Sequence, residues 1–143
     1  MRKLLIIIMV CTFHLFSFPG MFSKEMLSRF TYDNIKNQGF VKEVSKNYIM
    51  YISDTAQTIN GLRADVVSFS YSKTTKELIS YSIVKEAPDI GQFASLLVLI
   101  RIEAGKWPDH EKITENKMMF RWDNIGVISY NLDTSLLVVT YGP

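Results

Sequence analysis

A chain of 143 residues holds a single domain, and its 48% apolar content can build one core without metals or disulfides. The formal charge of +2 comes from Arg2 and Lys3, which stand before the first apolar run. Without them the 16 basic side chains fall to 14, equal to the 14 acidic ones, so no basic field remains for a nucleic-acid backbone. The one cysteine, Cys11, lies inside that run, which excludes a disulfide framework and thiolate chemistry from the rest of the chain.

Residues 1–20, MRKLLIIIMVCTFHLFSFPG, have a basic start, an apolar stretch from Leu4 to Phe18 and a Pro19-Gly20 breaker. This is the layout of a secretory leader, and it is shorter than the roughly 20 apolar residues of a membrane-spanning helix. Cuts after Ser17, Gly20 or Ser23 each leave a bulky residue at the third position upstream. An uncleaved anchor is therefore the alternative. Residues 21–143 form the expected domain.

Residues 23–39 read as a first helix on the domain surface. Ser23 is its cap, Met26, Leu27 and Phe30 make a narrow stripe, and Gly39 ends it, with Phe40 placed to touch Ile35. Two short strands follow, Phe40 to Val44 and Tyr48 to Ser53. DTAQTING is a loop with Asn60-Gly61 as its turn. Then Val67, Phe69 and Tyr71 alternate with serines, and after KTTKE so do Ile79, Tyr81 and Ile83. That pattern predicts a hairpin with one buried face and one wet face.

In DIGQFASLLVLIRIEAG, Phe93, Leu96, Leu97, Ile100 and Ala104 share one helical face, while Val98, Leu99 and Ile102 lie elsewhere on the cylinder. Asp89 and Gln92 fit a capping box and Gly105 a left-handed stop. A helix apolar nearly all round should be covered on more than one side. Leu96, Val98, Ile100 and Ile102 also alternate, so a buried strand is the rival reading. GKWPDHEKITEN is expected to be a polar crossing. Lys117 to Trp122, Val127 to Asn131 and Leu136 to Tyr141 form an antiparallel meander, with Leu136 to Val139 apolar enough for a strand buried on both sides. The predicted fold is α+β, an antiparallel β-sheet curled around a central buried helix, with an N-terminal surface helix. No internal repeat is legible in the sequence.

Beyond the leader, His110 is the only histidine, so His-paired metal sites and Ser-His-Asp catalysis have little to build on. Carboxylates are scattered singly, and nucleotide, P-loop and EF-hand patterns are absent. No cofactor and no catalytic residue are expected. Aromatic and arginine residues are the exception, because they anchor protein interfaces. Trp107, Asp109, His110, Glu111, Arg121 and Trp122 are the candidate partner-binding residues. These features predict an exported, periplasmic or envelope, non-enzymatic protein that binds another protein, as an inhibitor or immunity-type protein does. The alternatives are an anchored accessory subunit of an envelope or secretion assembly, and a small carboxylate-dependent hydrolase.

Overall fold

The computed structural model describes residues 20–86 and 88–142, so the expected leader lies outside the described residues except for Gly20. Two short helices come first, α1 (Lys24–Ser28) and α2 (Tyr32–Ile35). The sequence predicts one helix here. It breaks because Thr31 turns extended and caps a second start, its Oγ1 accepting from Asn34 N; a side chain that can cap the backbone competes with helix continuation. Met26, Phe30 and Ile35 are buried, and the outward residues are polar.

The strands are β1 (Val41–Val44), β2 (Tyr48–Ile52), β3 (Gln57–Ile59), β4 (Leu62–Ala64), β5 (Val66–Ser72) and β6 (Leu78–Glu86). After helix α3 (Ile90–Ala104) come β7 (His110–Ile113), β8 (Lys117–Trp122), β9 (Gly126–Asn131) and β10 (Leu136–Tyr141). Eight of them make one antiparallel sheet in the order β1-β2-β5-β6-β10-β9-β8-β7. The protein is thus mixed α and β, dominated by an antiparallel sheet with a few helices. Two expected loops are ordered strands. DTAQTING contributes to the β3–β4 hairpin, turned at Asn60-Gly61 with positive φ at both residues. The polar crossing contains β7, whose alternation is hidden because all four of its residues are exposed.

The period of two sorts the side chains. Val67, Ile83, Val139 and Ile128 lie opposite one another in successive strands and are all buried, forming a continuous row across the sheet. Beside it Phe30 packs on Phe69 and Tyr81, with ring centroids 4.8 and 5.1 Å away, a spacing at which aromatic pairs attract. Their polar ends are used. Tyr71 Oη donates to Phe30 O at 2.8 Å, and Tyr81 Oη donates to Met21 O. Burial pushes both phenols above their ordinary range. The other face carries Ser68, Ser82 and Thr140 in one row, with the Ser82 and Thr140 hydroxyls 3.0 Å apart. Leu136 and Val138 point to this half-exposed face, so β10 is buried on one side and not on both as predicted.

Residues 90–104 are helical, and the alternation in SLLVLIRI is overridden by the ends of the segment. The Asp89 carboxylate accepts from Gly91 N, Gln92 Oε1 accepts from Asp89 N, and Gly105 turns left-handed at φ +67. Phe93, Leu96, Leu99 and Ile100 are buried. Coverage stops there: Ile90, Val98 and Ile102 are 52%, 41% and 63% exposed. The helix is packed along one side only, contrary to the expectation from its composition.

The strand order reads the same from either edge. Each half is a helical segment followed by a four-stranded meander, and the two last strands, β6 and β10, meet in the middle. Strand register supplies an alignment that the sequence alone does not show. SKNYIMYISD (45–54) aligns without gaps on TENKMMFRWD (114–123), and Ser70-Tyr71 on Ser129-Tyr130. Hydrogen bonds recur at matched positions. Ser45 N donates to Tyr48 O and Thr114 N to Lys117 O, while Lys73 N donates to Asn47 O and Leu132 N to Asn116 O. Ser72 Oγ accepts from Thr75 N where Asn131 Oδ1 accepts from Thr134 N, and Lys76 and Ser135 share a positive φ. The described residues thus form an internal structural repeat, with the β3–β4 hairpin in the first half alone.

Candidate interaction site on helix α3 and the loop after it

Ile90, Ala94, Val98 and Ile102 follow one another at i, i+4, so they form one stripe along the side of α3 turned away from the sheet. All four are exposed. The stripe runs toward Trp107, which is 65% exposed. The Arg101 guanidinium carbon sits over that indole, 3.4 Å from the ring centroid, a cation–π contact.

Beyond Trp107 the chain enters β7 through a net of charged pairs. Lys106 Nζ contacts both oxygens of Asp109 at 2.7 and 2.9 Å, and Asp109 Oδ2 accepts from Asp123 N at 2.8 Å. Arg121 donates through Nε and Nη2 to Asp123 Oδ1, and His110 Nε2 lies 3.3 Å from Asp123 Oδ2. The hydrogen bond from Lys106, then that from the Asp123 backbone, holds Asp109 below the usual carboxylate range. Hydrogen bonding to Arg121 is the largest cause of the same effect at Asp123. The groups are solvent-facing, so screening limits what they add to stability.

These shifts have a sign. A depressed folded pKa means stability that is present above the unfolded value near 3.9 and is lost as pH falls through the folded value. Carbon-detected NMR titration should show both carboxyls changing below about pH 3.9, and Lys106→Ala should return Asp109 toward the free value while leaving Asp123 low. An unshifted Asp109 in the wild type would contradict the geometry.

The structure brings Trp107, Asp109, His110 and Arg121 to one corner. Glu111 points to the opposite face of β7, across from Phe120. Trp122 is a correction to the predicted set. It is 1% exposed and its Nε1 donates to Lys106 O at 3.2 Å, so it supports the loop from below and offers no surface. Sequence reasoning missed the stripe. Its i, i+4 spacing is visible in the sequence, but spacing alone does not tell an exposed apolar stripe from a covered one. Among the described residues no group of three or more His, Cys, Asp or Glu could hold a metal ion.

The structural repeat provides an internal comparison. Asp109, His110, Arg121 and Trp122 occupy the positions of Phe40, Val41, Ile52 and Ser53 in the first half, where none of these charges occurs. The outward side of α1 and α2 is likewise polar where that of α3 is apolar. The repeated fold therefore requires neither the charged corner nor the apolar stripe. No family model, curated protein or solved structure matches the chain.

Proposed function

We propose that the protein is an exported, non-enzymatic binding protein of the periplasm or cell envelope, acting as an inhibitor or immunity-type partner of another protein. The contact surface in this reading is the α3 stripe with Trp107 and Arg101 as anchors and the Asp109–Asp123 corner as its polar rim. The supporting observation is the row of exposed Ile90, Val98 and Ile102 leading to an exposed tryptophan, where the sister half of the same fold is polar. A contiguous apolar patch with a polar rim is what an interface needs and what a free surface normally avoids. The finer architecture belongs to the same reading: the sheet curls over the packed side of α3, and the N-terminal helices cover its other half.

The test is fractionation of cells expressing the full chain, followed by affinity capture from envelope extract with wild type and with Val98→Asp. Recovery of one protein by the wild type alone supports the reading; a cytosolic chain, or identical recovery by both, overturns it. An anchored accessory subunit is the second reading, because the 4–18 apolar run can stay in place. It predicts that the full chain sediments with membranes and resists extraction at high salt.

A further inference from the structure

The start of the domain is gripped by one acid. Glu103, in the last turn of α3, accepts from Met21 N through Oε2 at 2.9 Å, and both of its oxygens accept from Phe22 N at 3.2 Å. A carboxylate at this end of a helix faces the negative pole of the helix dipole. Burial opposes its charge as well, raising its pKa against the pull of the backbone N–H groups. None of the ion pairs among the described residues includes it. A partly buried anion with N–H donors and no cation is electrostatically incomplete.

The chain that meets this acid is equally particular. A Cβ at Gly20 would overlap the Glu103 carboxylate, so the close approach exists only because residue 20 is glycine. Met21 and Phe22 are buried, and Ser23 caps α1.

We propose that the leader is removed between Gly20 and Met21 and that the new α-ammonium of Met21 forms an ion pair with Glu103. The proposal rests on the export reading. In the cut, water oxygen bonds to the Gly20 carbonyl carbon, the C–N bond breaks, and the Met21 nitrogen leaves as the amine and is protonated. A membrane leader peptidase supplies the catalysis while the chain is still unfolded, since Met21 is buried once the domain forms. Of the three cuts open in the sequence, the one after Ser23 removes two core side chains and the α1 cap. The one after Ser17 leaves an uncharged peptide against the acid. The cut after Gly20 gives up neutral hydrogen bonds to the Gly20 carbonyl from Asn60 Nδ2 and Ser23 Oγ and gains a charge-assisted contact, the stronger kind.

The experiment expresses the full chain in an exporting bacterium and determines the N-terminus and intact mass of the protein from each fraction. The expected result is an exported chain beginning at Met21. Any other start in the exported fraction, or an exported chain with its leader intact, overturns the proposal while leaving export standing. A cytosolic chain beginning at Met1 overturns both.

In the processed protein an amine held by Glu103 titrates above its unfolded value of about 7.7–8.0. Its contribution is then fully present below that value and is lost as pH rises through the folded one. Thermal melting should fall across that alkaline range in the wild type and stay flat in Glu103→Gln; equal slopes overturn the ion pair. Should Glu103→Gln not fold, reductive methylation of the wild-type amine with 13C-formaldehyde gives an NMR reporter. Its titration at or below about 8 would overturn the proposal equally.

Discussion

Trp122→Ala is expected to remove about 3–5 kcal/mol of folding stability, a large share of what a domain of this size possesses. The indole is 1% exposed and ends β8 where Gly126 of β9 pairs with it. Its truncation opens a cavity and leaves the Lys106 carbonyl without its donor at 3.2 Å. That carbonyl precedes Trp107, so the loss reaches the proposed surface as well as the core. Trp122→Phe retains most of the volume and should cost less than half as much. Urea melts of the three proteins read the difference directly, with Trp107 as the remaining fluorophore in both variants. A loss below about 1 kcal/mol in Trp122→Ala would show that the indole is not the support described.

Ile102→Glu combined with Trp107→Ala should have the opposite profile. Both side chains stand mostly in water, and surface substitutions of this kind shift stability by about 0.5 kcal/mol or less. Partner affinity should fall by at least about 2 kcal/mol, or roughly thirtyfold, because a central tryptophan and a charge forced into an apolar contact are the costly changes at an interface. Arg101→Ala tests the same surface more gently. It frees the indole from its cation and should weaken capture less than loss of the ring does. Unchanged capture by the double variant would remove α3 from the binding surface.

The local rules carried most of the fold. Serine alternating with Phe69 and Tyr81 placed β5 and β6 on the correct face, and Asp89, Gln92 and Gly105 marked the limits of α3 against a rival strand pattern. Strand β7 was illegible because an edge strand with four exposed residues owes its place to β8 and not to its own pattern. The break at Thr31 was hidden for a similar reason, since a threonine gives no sign of whether it continues a helix or caps the next one. At the candidate site the pairing of His110 with Asp123, thirteen positions away, depends on strand register. Trp107 and Trp122 look alike in the sequence; one stands exposed against Arg101 and the other is sealed under the loop. The structural repeat is illegible in the sequence because its two halves share few residues and differ by the β3–β4 hairpin.

The seam between the halves has a consequence of its own. Strands β6 and β10 are the final strands of two equivalent units, and each satisfies the open backbone edge of the other. A half produced alone would therefore end in an unsatisfied ladder whose best complement is its own twin. Residues 89–143 made as a separate polypeptide should associate tail to tail through β10 and rebuild an eight-stranded sheet from two identical chains. Such a pair would carry two copies of the exposed apolar flank of α3, where the whole chain carries one.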